Sequence, residues 1–210
     1  MTSIDTDTSR DPGVRPAMQA RSRATRQRIL KVLARALDDQ TIDKLTVADI
    51  AKRAKSSVGA FYGRFADKAA ALDALYADRM EALVESLTAA NDEARRHRDV
   101  HRWIGELAQA CLTHAIANRT LLVRIAGRTG DLAAAPASFK DHLAQTISAL
   151  RIKPPHFAPV AADFMLRLVL GLSRDAALFQ PELQEDDAAR TAFAADVQKA
   201  ALWYLTAPSA

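Results

Sequence analysis

Apolar residues recur along this 210-residue chain at the spacing of helices with one buried face. Ile29, Val32, Leu33, Ala36 and Leu37 define a first helix. Val47, Ile50, Ala51 and Ala54 form a second, short stripe, with Thr46 suited to cap its N-terminus. A brief turn at Lys55-Ser56 follows, and Ser57 or Ser56 can cap a third helix carrying Phe61 and Phe65 on one side. From Asp67 the pattern is helical to the end. A long helix from about Asp67 to Arg98 carries Leu72, Leu75, Tyr76, Leu83 and Leu87. The next holds Trp103, Ile104, Leu107, Cys111 and Ile116, and a short piece spans Leu121 to Ile125, with Gly127 and Gly130 after it. Pro136 suits the first turn of a helix with Phe139, Leu143, Ile147 and Leu150. Pro154, Pro155 and Pro159 mark a break before a helix from about Pro159 to Leu178, apolar over more than one face. A last helix begins after Glu185-Asp186-Asp187, acids well placed at a helix N-terminus, and carries Phe193, Val197, Leu202, Trp203 and Leu205. The expected fold is all-α, a three-helix head followed by a larger helical domain.

Charge changes this picture. Residues 21–68 hold 12 Lys and Arg against 5 Asp, whereas the whole chain has a formal net charge of only +4. A basic module on a near-neutral body is the electrostatic footprint of a nucleic-acid-binding head. Arg21, Arg23, Arg26 and Arg28 crowd the start of the first helix, where they oppose the helix dipole; an anionic partner explains them better than helix stability does. Composition otherwise narrows the class. With 49% hydrophobic and 26% charged residues the chain reads as a globular protein. One cysteine, Cys111, excludes an intrachain disulfide and fits a reducing, cytoplasmic setting. No apolar run approaches the ~20 residues of a membrane span. Residues 1–20 mix Asp, Thr, Arg and Pro with no apolar stretch, so they are expected to be a disordered tail rather than a secretory signal.

Two short helices joined by a tight turn, behind a longer supporting helix, make a helix-turn-helix, whose last helix enters the major groove of DNA. The segment SSVGAFYGRF, residues 56–65, fits that role. Gly59 and Ala60 let the backbone approach closely, and Phe61 and Phe65 pin the helix to the other two. Tyr62 can aim its hydroxyl at a phosphate, and Arg64 and Lys68 supply charge. Gly63 most simply loosens the end of the helix.

The run TVADIAKRAKSSVGAFYGRFADKAAAL resembles the DNA-binding domain of the TetR family of bacterial transcriptional regulators, over about Arg23 to Leu75. Thr46, Ile50, Ala51, Ala54, Ser57, Gly59, Tyr62, Phe65 and Lys68 carry the resemblance. It implies a homodimer that reads a palindromic operator in double-stranded DNA, with Ser57, Gly59, Ala60, Tyr62 and Lys68 touching the DNA. It also implies a C-terminal domain that dimerises and takes a small-molecule effector, so that the expected function is a repressor released by that effector. The alternative is a DNA-binding dimer whose C-terminal domain only dimerises or binds a protein partner. The implied boundaries are 1–20 for the tail, 21–68 for the head and 69–210 for the effector-binding and dimerisation domain. Three positions depart from the family. Lys55 stands where glycine is usual; either the turn needs positive φ and the lysine is strained, or the turn differs and Lys55 reaches a phosphate. Val58 replaces a residue that is often polar, and it either meets a thymine methyl or packs inward. Gly63 stands where many relatives have a second aromatic. Thr46, Lys55, Ser57, Val58, Gly59, Ala60, Tyr62, Arg64 and Lys68 are the candidate DNA contacts.

Signals in the second domain are weaker. Trp103, Leu107, Cys111 and His114 follow helical spacing, with Phe139 and His142 on a helix expected to face them; together they suit an apolar effector with a polar handle, and equally a plain core. The resemblance implies that the last two helices pair with a twin in a four-helix bundle, through residues such as Leu168 and Trp203; alternatively both stripes serve only the subunit's own core. His97 and His101 lie four apart but lack the carboxylate of a zinc-binding HExxH pattern. There is no phosphate-binding glycine loop and no Ser/His/Asp signature. No catalytic residue, metal or cofactor is therefore assigned, and no membrane contact is expected.

Overall fold

A computed structural model describes residues 14–125, 137–154 and 156–207, and among these the regular structure is entirely helical. The chain divides after Leu72 into two compact units. The first contains α1 (Val14–Asp38), a 3₁₀ turn (Ile42–Lys44), α2 (Val47–Arg53), α3 (Val58–Tyr62) and the start of α4 (Lys68–His97). α1 begins at Val14, so residues 14–20 are helical where a tail was expected; residues 1–13 lie outside the described set.

The head closes around Ile29, Leu33, Ile42, Ile50 and Phe61, all fully buried. Thr46 caps α2 in a reciprocal capping box with Asp49, and Ser57 caps α3 by accepting from the Ala60 N–H at 3.1 Å. α3 is only one and a half turns long. Phe65 therefore lies beyond its end, yet it is 6% exposed and its ring centroid is 5.5 Å from that of Phe61. Gly63 caps α3 at φ −69°, a conformation open to any residue, but a Cβ there would come within 3.3 Å of the Gly59 carbonyl oxygen.

Helix ends explain the departure at Lys55. The Ser56 N–H donates to Ala51 O at 2.9 Å and the Lys55 N–H to Lys52 O at 3.1 Å, with Lys55 at φ 50°. This is a Schellman closure, in which the residue in the left-handed region is ordinarily glycine. α1 ends the same way through Thr41 to Ala36 and Gln40 to Leu37, with Gln40 at φ 52°. Of the two readings of Lys55, the strained positive-φ turn is the one adopted.

In the second unit, the remainder of α4 is joined by α5 (Val100–Ala117), α6 (Arg119–Ile125), α7 (Ala137–Ala149), α8 (Ala158–Phe179) and α9 (Asp187–Thr206). Asp99 caps α5, accepting from the Arg102 N–H at 2.9 Å, and Asp186 caps α9 through the N–H groups of Ala188 and Ala189. α8 is the central element. It packs on α5, α7 and α9, burying Ala161, Met165, Val169, Ser173 and Ala176, which matches its two-faced apolar pattern. Small residues at this seam let the helices approach closely. Gly127, Gly130, Pro136 and Pro155 lie outside the described residues.

Candidate functional site

The outer face of α3 is built by contrast with its inner one. Phe61 points into the core, and residues 58 and 62, one turn apart, remain outside. Val58 is 42% and Tyr62 55% exposed, so Val58 does not pack inward. Between them Gly59 leaves the backbone open; the nearest atom to a Cβ placed there would be Ser57 Oγ at 4.0 Å. Ser57 is exposed and Ala60 partly so, and together these residues form a small, shallow surface that another chain can approach closely. Lys55 is exposed immediately before it.

The remaining candidates do internal work. The Thr46 hydroxyl donates to Asp49 Oδ2 at 2.6 Å and its N–H to the same oxygen at 3.0 Å, which holds the Asp49 carboxyl below the usual carboxylate range. Arg64 donates to Ala60 O at 2.6 Å and to Ser22 O and Oγ at 3.3 and 3.1 Å, tying the end of α3 to α1. The Lys68 ammonium donates to Ile42 O at 3.1 Å and Leu45 O at 3.2 Å, which leaves one of its three N–H groups for a partner. Arg28 has a positioning role that the sequence did not disclose: its Nε donates to Ala54 O, at the end of α2, at 2.9 Å. Arg21 and Arg23 are exposed on α1.

In the second unit Trp103, Leu107 and Cys111 are buried along α5. Trp103 Nε1 donates to Asn91 Oδ1 at 2.5 Å, and Asn91 Nδ2 is buried without a hydrogen-bond partner. His114 lies near Tyr76, ring centroids 6.4 Å apart, and its Nε2 also has no partner. Ser173 Oγ, on α8, is a third such atom. Burial pushes the Cys111 thiol up to about 12, so it is no nucleophile. The other two expected members do not join this group. α7 packs chiefly on α8 rather than on α5, so Phe139 is buried against a different neighbour. His142 meets α4, with Nε2 at 2.8 Å from Arg95 and 3.3 Å from Asp92. His97 pairs with Glu93 at 2.7 Å, and among the described residues no group of three or more His, Cys, Asp or Glu is placed to hold a metal.

Burial, with the Arg79 charge second, lowers the His114 pKa from 6.5 to about 4. The folded state thus binds the proton less well than the unfolded chain, so stability is full above about 6.5 and falls as pH drops toward 4. The melting temperature is expected to fall by several degrees between pH 7 and pH 4.5, at roughly 2–4 °C per kcal/mol for a protein of this size. His114→Gln should remove much of that fall; an identical pH profile for both proteins would refute the assignment.

A family model described as bacterial regulatory proteins, tetR family, matches residues 29–75, the segment that contains the α2–α3 pair. No curated protein matches the chain. A protein described as a TetR-family transcriptional regulator, from Mesorhizobium loti MAFF303099, is similar in structure at a TM-score of 0.64 and 16% identity, covering 87% of this chain and 96% of that one. A TetR family transcription regulator from Marinobacter aquaeolei VT8 gives 0.52 and 17%, covering 87% and 97%. RolR, solved in complex with resorcinol, gives 0.54 and 16%, covering 91% and 98%. These likenesses extend the shared fold beyond the matched segment. Among the described residues no helix is long and apolar enough to cross a membrane.

Proposed function

We propose that this chain, whose head matches the tetR-family model and whose fold resembles that of TetR-family regulators, is a homodimeric DNA-binding repressor that reads a palindromic operator and is released from it by a small molecule. The observation that carries the DNA-reading half is the exposed α3 face. Val58 and Tyr62 stand outside a helix whose Phe61 is fully buried, with Gly59 bare between them. Val58 offers an apolar contact to a thymine methyl, Tyr62 a hydroxyl to a phosphate, and Ser57 and Lys55 flank them.

Dimerisation belongs to α8 and α9. Val160, Phe164 and Leu172 on α8 and Trp203 on α9 are exposed large hydrophobic residues, and the Phe164 and Tyr204 rings meet at 4.3 Å across the two helices. A two-fold interface places the same patch on both subunits, and a two-fold protein matches a palindrome. Leu168, the other residue expected there, is half-buried on α8.

The effector reading rests on three buried polar atoms without partners, Asn91 Nδ2, His114 Nε2 and Ser173 Oγ. Each costs about 1–3 kcal/mol of desolvation that a ligand's hydroxyl or carbonyl would recover. On α5, His114 with apolar Leu107 and Cys111 on the same helix favours a small, mostly apolar molecule with a polar handle. The resorcinol complex of RolR supports the fold's capacity for such a ligand.

Sequencing the genomic fragments that the purified protein retains tests the first half: an inverted repeat should be enriched, and no enrichment would overturn it. A thermal-shift screen of small aromatic compounds, followed by operator binding with each hit, tests the second. Hits that stabilise the protein and weaken operator binding about 5–150-fold support release. Hits that leave operator affinity unchanged would favour the dimerisation-only alternative.

A further inference from the structure

The head carries a charged surface beside the α3 face. A depression of ≈ 270 Å³ opens between α1 and the end of α2. Arg28, Lys31 and Arg35 line it from α1, Arg53 from α2 and Lys55 from the turn. Val32 and Ala54 complete it, and no carboxylate is among its lining residues. Arg28 is fixed in place by its bonds to Ala54 O at 2.9 Å and Thr25 Oγ1 at 3.0 Å. Lys31, Arg35 and Lys55 are exposed and make no ion pair among the described residues.

Folding stability does not explain this arrangement. Arg28, Lys31 and Arg35 repeat at three and four residues along one side of α1, and like charges at that spacing repel. Lys55 adds a fifth cation at φ 50°, a conformation in which glycine would be unstrained. Two independent costs thus converge on one cleft. Its position supplies the reason, for Lys55 lies two residues before Ser57, the cap of α3, so the cleft continues the α3 surface.

We infer that this cleft holds the phosphate backbone of duplex DNA beside the groove that α3 enters, as a sequence-independent clamp. The inference rests on the DNA-binding reading of the head. Three guanidiniums supply planar forks that match phosphate oxygens, and two ammoniums supply point charges. Contacts of this kind add affinity and register without reading bases.

The test compares wild type with a Lys31→Ala/Arg35→Ala double variant and with Lys55→Gly, each full-length. The probes are a duplex recovered by genomic selection and a random-sequence duplex of equal length. The double variant should bind both about tenfold more weakly at low salt. Its plot of log K against log salt should flatten by about 0.9 for each phosphate that the variant no longer neutralises. Lys55→Gly should flatten the plot too, yet melt at a higher temperature than wild type, since the strain is relieved while the cation is removed. A merely structural lysine would not separate those two readouts. Unchanged affinity and slope in the double variant, with wild type binding normally, would overturn the clamp and leave the DNA-binding reading intact. Pyrophosphate that stabilises wild type but not the double variant, with DNA affinity unaltered, would overturn it in favour of a small-anion site. A wild type that binds neither duplex would overturn the DNA-binding reading itself.

Discussion

Replacing Phe164 and Trp203 together with aspartate is expected to yield a folded monomer that no longer holds its operator tightly. Trp203 is 75% and Phe164 47% exposed, so neither substitution opens a cavity within the subunit. In a dimer built on this patch both positions lie within the shared interface, and the four carboxylates of two subunits would be buried without partners. The loss in operator binding should be large. A tethered second half-site is worth about 10²–10⁴ in avidity, and a monomer forfeits all of it. Sedimentation should report one subunit, circular dichroism an unchanged helical content, and operator binding a loss of at least about a hundredfold. A double variant that still sediments as a dimer would remove α8 and α9 from the interface.

Phe61→Ala is expected to unfold the head while the second unit stays folded. Phe61 has no exposed surface, and its ring meets those of Tyr62 at 5.6 Å and Phe65 at 5.5 Å. Truncating such a residue costs about 3–5 kcal/mol. A module of this size is stable by only about 3–8 kcal/mol in all, so most or all of its margin disappears. The two compact units should then separate in a thermal scan, with an early or missing transition for the head and a preserved one for residues 73–210. Tyr62→Ala is the matched control. It sits one residue along and is largely exposed, so it should weaken DNA binding while lowering the head's transition far less than Phe61→Ala does. Equal melting of the Phe61→Ala protein and wild type would mean that the aromatic core is dispensable.

What could be read in the sequence was whatever is decided locally. The caps at Thr46 and Ser57, the stripe of α2 and the two-faced pattern of α8 depend on neighbours within a few residues, and they stand as expected. What could not be read depends on partners far along the chain. Lys68 finds its carbonyls 23 and 26 residues away, and Arg64 finds Ser22 42 residues away; no local pattern marks a cation for such a task. The facing of α7 is a choice between two apolar neighbours, and packing against α8 decides it. The early start of α1 escapes the pattern because Pro16 and the polar and charged residues around it resemble a tail. At Lys55 only the hydrogen-bonded closure of the turn decides between a strained lysine and a different turn.

Cys111 sits at 1% exposure with its thiol pushed up to about 12, which makes the described surface of the protein silent toward thiol reagents. Any cysteine placed on the outside is consequently the sole labelling point. A spin label on a cysteine substituted for exposed Gln27, on α1, would thus mark each subunit of a dimer once. Pulsed dipolar spectroscopy on such a pair would measure the span between the two heads directly. Successive major grooves require a span near one helical turn, about 34–36 Å between the reading helices. If the proposed release by a small molecule holds, that compound should move the measured distribution away from its operator-bound value, and the inert core thiol is what leaves the signal free of background.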